Sequence, residues 1–384
     1  MTKPASISRR AILKGAAAAG GAVLGAPMIN LGRYRLFAQS QGEYSARTIE
    51  LIGRSLVIDT LGVFTVNGEK GWVRDPGSIT AQELEEFRES GINVMHNASG
   101  VPTYESALRF IAGWGGFILQ HDDYFFRVSD VRDLDREKDS GRIGIIMGIQ
   151  NAGHFRTVDD VNLFHGLGQR ISQLTYNTRN RVGNGCFERR DGGLSDYGVA
   201  VVERMNEVGM AVDVAHCGDQ TTLDAFEVSS KPVLITHSNA RALAPKQMRC
   251  KTDEAIRAMA RAGSIIGLTG VRMFVRDTEP TTIEHVLDHF DHVAKLVGVE
   301  HIAVGSDMDL HGYDAGSEEE HKRLLENLHP KYGVREKLDI DGIDHPKRMY
   351  DLTEGLIRRG YSDSDIEGIL GGHMKRVLGE IWKS

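Results

Sequence analysis

The chain has 384 residues, 41% hydrophobic and 26% charged, with a formal net charge of −7. This composition supports a packed core, in one large α/β domain or two ordinary ones, and argues against disorder. The six basic residues before Gln39 (Lys3, Arg9, Arg10, Lys14, Arg33, Arg35) lie in a stretch without Asp or Glu, so the rest carries 46 less six, or 40, basic residues against 53 acidic, a balance of −13 that argues against nucleic acid as a partner.

Ser8-Arg9-Arg10-Ala11-Ile12-Leu13-Lys14 has the twin-arginine pattern and precedes an Ala/Gly-rich apolar run from Gly15 to Ala26. That run is short and glycine-rich for a membrane span. It reads as a Tat export signal, which makes the Tat translocase a partner during export and the periplasm the destination. No cysteine follows the run, so a lipoprotein is disfavoured. Residues 1–38 are read as signal and linker, and 45–384 as a single domain.

From residue 45 onward, short β-branched runs alternate with segments of helical period. The runs are Leu56–Asp59, Ile92–His96, Ile143–Ile149, Ile171–Tyr176, Ala211–Ala215, Val233–Thr236, Ile265–Thr269 and Ile302–Gly305. Most are almost wholly apolar, as strands buried on both faces are. Thr80 and Glu83 form a capping-box pattern that opens a helix to Glu89. Further helices are expected at Glu105–Gln120, Asp159–Leu167, Asp196–Glu207, Gln220–Glu227, Asp253–Arg261, Thr282–Leu296, Lys347–Arg359 and Ser362–Trp382. Glycines 91, 209, 263 and 298 end helices where a left-handed residue is wanted. Eight such units predict a (β/α)8 TIM barrel. A doubly wound open sheet is the alternative. The count of eight and the spread of polar residues over many strand ends favour the barrel. The acidic segment Asp309–His345 is the longest loop and a candidate lid.

In a TIM barrel the active site is built from the residues at and just beyond the C-terminal end of each strand. Those positions hold Asp59, His96 and Asn97, Gln150 and Asn151, Tyr176 and Asn177, His216, His237, Arg272 and Asp307. Two histidines converging with this many polar groups is the pattern of a metal-assisted hydrolase. Imidazole is a common zinc ligand, and adjacent strands bring His216 and His237 to one ion. Asp307 faces them as a carboxylate able to accept and return a proton. Tyr176 and Asn177 are read as substrate-facing. His96 adds a ligand only if it points inward. Cys186, Cys217 and Cys250 match no metal or CxxC pattern. One bridge or three free thiols are equally compatible with them. Cys217 packs behind the site, since strand neighbours point to opposite sides. Gly183–Cys186 is read as a loop over the barrel mouth. His285, His289 and His292, at helical spacing, read as a solvated face.

The stretch from Gln173 through Asp253 resembles the membrane (renal) dipeptidase family of zinc-dependent barrels. The resemblance rests on Leu174-Thr175-Tyr176-Asn177, Gly193-Leu194-Ser195-Asp196-Tyr197-Gly198, Asp213-Val214-Ala215-His216, Thr236-His237-Ser238-Asn239-Ala240-Arg241, Gly305-Ser306-Asp307-Met308-Asp309 and Gly371-Gly372. It implies a TIM barrel that hydrolyses dipeptides with two bridged zinc ions. It also implies that His216 and His237 are the ligands of one zinc, Asp307 the catalytic acid/base, and Arg249 the residue holding the substrate carboxylate. The chain departs from the family where the other zinc would bind. Leu61 and Val63 stand for a His and an Asp of the first strand, Gln150 for the bridging Glu, and Tyr176 for a His. One zinc is therefore expected rather than two, with Gln150 as a poor neutral ligand, or no metal at all. Two readings stay open beside a dipeptide or small-amide hydrolase: altered chemistry on a small peptide-derived molecule, and a metal-free binding protein. A homodimer is compatible with either.

Overall fold

The computed structural model describes residues 33–34, 43–63 and 79–382. These fall into two units divided between Arg47 and Thr48. In the first, Arg33–Tyr34 pairs antiparallel with Tyr44–Ser45. The expected Tat signal, Ser8–Lys14 with the apolar run to Ala26, lies outside the described residues.

The second unit is the barrel. Its strands are β1 (Ile58–Gly62), β2 (Val94–Ser99), β3 (Ile143–Ile149), β4 (Ile171–Gln173), β5 (Ala211–Asp213), β6 (Ile235–Ser238), β7 (Ile266–Leu268) and β8 (Ile302–Val304). All pair in parallel in the order β5-β4-β3-β2-β1-β8-β7-β6. A parallel bridge from Asp213 to Leu234 joins β5 to β6 and closes the circle. Each of the eight expected runs overlaps one strand. An extra parallel strand, Phe125–Val128, lies along the first half of β3. Short size and the exposed Arg127 hid it from the hydrophobic pattern.

One apolar residue from each strand or the position just before it meets in a common core: Ile58, Val94, Ile146, Ile171, Ala211, Leu234, Ile265 and Ala303. Met374, Val377, Leu378 and Ile381 of the helix His373–Ile381 pack against them and seal the N-terminal end. Each fully buried aliphatic side chain here contributes about 1.5–3 kcal/mol. Side chains alternate along a strand, so positions two residues on face the same interior. Those positions are Thr60, His96, Gly148, Gln173, Asp213, Thr236, Gly267 and Gly305. The second layer of the barrel is thus polar and crowded. A Cβ on Gly305 would lie 2.0 Å from Thr236 O, and one on Gly148 would lie 2.0 Å from His96 Nε2. The single proton of Thr60 Oγ1 is shared between Thr236 O at 2.5 Å and Val304 O at 3.0 Å, tying β1 to β6 and β8 across this layer.

The helices match the expected segments closely. Thr80 caps Ala81–Glu89 with the expected capping box to Glu83. Gly91, Gly209 and Gly263 take positive φ (80°, 77° and 69°) where helices end. Two expectations are corrected. Ser362–Trp382 is not one helix: Asp363–Glu367 and His373–Ile381 flank a wider turn, Gly368–Gly372. Gly371 is required there because a Cβ would meet Leu56 O at 2.3 Å. The segment 309–345 is not a plain loop either. It contains the helix Glu318–Asn327 and a short 3-10 turn, Pro330–Tyr332. Its Tyr332 and Leu338 are buried in a second apolar cluster with Cys186, Phe187, Val271, Met273 and Phe274.

Candidate active site

His216 lies just beyond β5, and His237 lies on β6. The adjacent strands bring their Nε2 atoms 3.0 Å apart, and both side chains are buried. Each ring is held from behind through Nδ1. His216 Nδ1 donates to Asn177 Oδ1 at 2.7 Å. Behind His237, Thr236 Oγ1 donates to Asp213 Oδ2 at 2.7 Å. That hydroxyl has one proton, so it accepts from His237 Nδ1 at 2.8 Å. Both imidazoles therefore carry their proton on Nδ1, and two bare Nε2 lone pairs face each other. Burial is the main cause holding both histidines well below the usual imidazole range, and Arg249 adds to it. Asp213 sits three residues before His216 and accepts Thr236 N and Ala215 N as well, so one buried carboxyl braces both strands. Sequence reasoning assigned Asp213 and Thr236 no role; the interior-facing period of β5 and β6 was the available signal.

Tyr176 stacks on His216 with ring centroids 4.3 Å apart and planes at 22°. Asp307 faces inward above β8 with φ of 54°, and Asn177 has φ of 62°. These are the two non-glycine residues with positive φ among those described, and both stand at the site, where strained backbone often collects. Asp307 keeps some solvent contact. Its carboxyl is nonetheless desolvated, and burial pushes it up to about 7; Arg249 pulls it down and Asp59 pushes it further up. Its backbone is fixed by Asp307 N donating to Leu61 O at 2.8 Å and by the Tyr313 hydroxyl on Asp307 O.

Several expected site residues have other partners. Asn177 supports His216, and its Nδ2 donates to the Tyr332 hydroxyl at 2.7 Å. Arg249 is buried, with Nη1 on Ala215 O at 2.6 Å and Nη2 on His237 O at 2.8 Å, so its fork clamps the two strands that carry the histidines. Its Nε has no hydrogen-bond partner among the described residues. Lys251 Nζ, also buried, holds Cys217 O at 2.9 Å, and burial lowers it to about 8. Gln150 donates Nε2 to Ala98 O at 3.2 Å, which turns its Oε1 away from that carbonyl. His96 does point inward, but Nδ1 is spent on Thr60 O at 2.7 Å, and its buried Nε2 has no partner among the described residues. Arg272 belongs to a separate network with Glu279 and Asp339 O.

The loop 183–186 is tied to the backbone that carries the site residues. Cys186 N donates to His216 O at 2.9 Å, and a Cβ on Gly185 would strike the Asn177 backbone at 2.1 Å. All three cysteines are buried and free. Cys217 accepts from Thr175 Oγ1 at 3.2 Å, and burial raises its thiol to about 11, so it is no nucleophile. The trio on the helix Ile283–Val297 is not a solvated face. His289 is fully buried, accepting from Ala240 N at 3.2 Å and donating to Val275 O at 2.8 Å, while His292 pairs with Asp253. Among the described residues, no three His, Cys, Asp or Glu side chains converge as a metal cluster. Nor is any described helix long and apolar enough to cross a membrane.

A parallel eight-stranded barrel with a histidine pair and a desolvated carboxyl at the C-terminal strand ends defines the barrel hydrolase class. The chain belongs to the membrane dipeptidase family (peptidase family M19), whose model matches residues 102–338. It is 29% identical over 266 residues to dipeptidase aclJ of Aspergillus oryzae, a match covering 67% of this chain and 57% of that one. The chain thus spans little more than half the length of the curated relatives it matches. Among solved structures, it is similar to an amidohydrolase from Pseudomonas aeruginosa (28% identity, TM-score 0.75, 87% and 99% of the two chains). The probable dipeptidase PvdM from Pseudomonas aeruginosa shares the fold at 18% identity, with a TM-score of 0.72 over 88% and 98% of the two chains.

Proposed function

We propose that the chain hydrolyses a dipeptide or similarly small amide with one zinc ion held between His216 and His237. The observation that carries this is the pair of bare Nε2 lone pairs 3.0 Å apart. Two neutral acceptors at that distance repel, and a cation between them reverses the sign. Two nitrogens bound to one tetrahedral zinc at about 2.0–2.1 Å lie about 3.3 Å from each other, close to the separation here. Both histidines also have the Nδ1 support that metal-ligating imidazoles usually have. The donor set therefore fits one ion. It does not fit a second, because Leu61 and Val63 have no donor atom and Gln150 supplies no charge.

When bound, such an ion polarises a carbonyl and makes a water molecule more acidic. The remaining work falls to the chain. Asp307, raised to about 7, is matched to taking and returning a proton near neutral pH. In this reading Asp307 is the proton carrier rather than a third ligand. Tyr176, partly exposed and stacked on His216, forms a wall of the mouth beside it.

The replaced ligands favour a second reading, altered chemistry on, or mere binding of, a small peptide-derived molecule. A panel of D- and L-dipeptides, with metal content measured on the same sample, separates the two. Hydrolysis abolished by chelator and restored by zinc supports the hydrolase. Zinc-loaded protein inert towards the whole panel supports the second reading. Export to the periplasm is proposed from Arg9-Arg10 alone. Replacing both with Lys retains the protein in the cytoplasm if the reading is right and leaves fractionation unchanged if it is wrong.

A further inference from the structure

Tyr332 lies far along the chain from the histidine pair, in the segment after β8, yet its hydroxyl enters the support of His216. Asn177 is the link. Its Nδ2 donates to Tyr332 Oη at 2.7 Å, and its Oδ1 accepts from His216 Nδ1 at 2.7 Å. A carboxamide is nearly symmetric in shape, so its two ends can exchange by a rotation of the side chain. The exchange matters here. With Oδ1 towards His216, Nδ1 carries the ring proton and Nε2 is bare. With Nδ2 towards His216, Nδ1 must be bare and Nε2 protonated. That second state lets His216 Nε2–H donate directly to His237 Nε2 at 3.0 Å, and the pair is satisfied without any ion.

Two contacts select the first state. Tyr332 Oη accepts from Asn177 Nδ2 at 2.7 Å, which places the amide nitrogen on the Tyr332 side and the oxygen on the His216 side. The Cys186 thiol points at Asn177 Oδ1 from the other side, at 3.6 Å. Tyr332 is itself immobilised: it is buried, it packs edge-on to Phe187 with centroids 5.1 Å apart, and Gln247 Nε2 donates to its carbonyl at 3.1 Å.

We propose that Tyr332 is a positioning residue which, through the Asn177 carboxamide, holds His216 in the tautomer that offers Nε2 to a metal ion. The segment 309–345 thereby completes the metal site without contacting the ion. The inference rests on the single-zinc reading for its purpose, but the tautomer itself does not depend on metal.

The test uses the full chain and three variants: Tyr332→Phe, Asn177→Asp and the double variant. Tyr332→Phe keeps the ring and removes the hydroxyl. Its zinc affinity, measured by competition with a chelator, is expected to fall about 10–100-fold, the usual cost of losing such support. Nitrogen-15 NMR of the metal-free protein is expected to show the Nε2–H form of His216 gaining population. A carboxylate at 177 accepts at both ends, so Asn177→Asp in the Tyr332→Phe background is expected to restore both affinity and tautomer. A Tyr332→Phe protein with wild-type affinity and an Nδ1–H His216 overturns the proposal. So does a double variant no better than Tyr332→Phe. If the wild type binds no zinc, the single-zinc reading fails, and the NMR comparison still decides the role of Tyr332.

Discussion

Asp59, on β1, accepts both the backbone N–H of Ser306 at 2.9 Å and its hydroxyl at 2.5 Å, so the residue just before Asp307 is tied to the opposite side of the β1–β8 seam. Asp59 is fully buried, and burial raises it to about 6 against the pull of Arg348 and the Ser306 bonds. Asp59→Ala strands the buried Ser306 donors and is expected to cost at least about 1–3 kcal/mol in denaturant unfolding. Asp59→Asn keeps one acceptor towards Ser306 N and should cost less. Equal stability of the Ala variant and wild type rules out this tie as a source of order at Asp307.

Arg249 makes a two-pronged contact, one nitrogen to Ala215 O and the other to His237 O. A lysine offers a point charge and no planar fork. Arg249→Lys is therefore expected to leave one of those buried carbonyls unpaired, at about 1–3 kcal/mol, and to lower kcat as the histidines lose their setting. Thermal unfolding and steady-state kinetics on the same preparation check this. A raised KM with unchanged stability would instead place the guanidinium on the substrate.

His289 gives the clearest pH prediction. It is held neutral, because Nδ1 accepts from Ala240 N, and a second ring proton would meet that N–H head-on. Burial lowers it to about 4 from the usual 6.5. A depressed histidine leaves the unfolded chain binding more protons, so stability falls as pH falls from 6.5 towards 4. Between pH 7 and pH 5 this one group should account for about 2 kcal/mol of the loss. His289→Gln removes the titrating group, so that variant is expected to lose about 2 kcal/mol less than wild type over the same interval, whatever its stability at pH 7. Parallel pH profiles for the two proteins would refute it.

The barrel was legible because fully buried parallel strands concentrate β-branched residues, and all eight runs did so. The elements around them were harder to read. Phe125–Val128 is too short to show a period. The segment 309–345 is acidic and sparsely apolar, and its order comes from Tyr332 and Leu338 meeting Phe187 and Phe274, contacts that no local pattern encodes. His289 was readable: it lies on the helix face of the buried Val286, Phe290 and Val293, and only the spacing to the outer histidines drew attention elsewhere. At the site, His216, His237 and Asp307 were legible as strand-end residues. Asn177 was also found there, but its role was not visible, because the partner that orients it comes from a distant segment. The same holds for Arg249, whose partners are carbonyl oxygens and leave no trace in residue identity.

An ion shared by two imidazoles can be counted, and metal analysis does so most directly. Tag-free protein, stripped with chelator, reloaded with zinc and exchanged into metal-free buffer, is expected to retain about one zinc per chain. His216→Ala and His237→Ala are each expected to retain none above background while remaining folded by circular dichroism. About two zinc ions per wild-type chain, or stoichiometric zinc surviving either substitution, would contradict a single ion held by this pair.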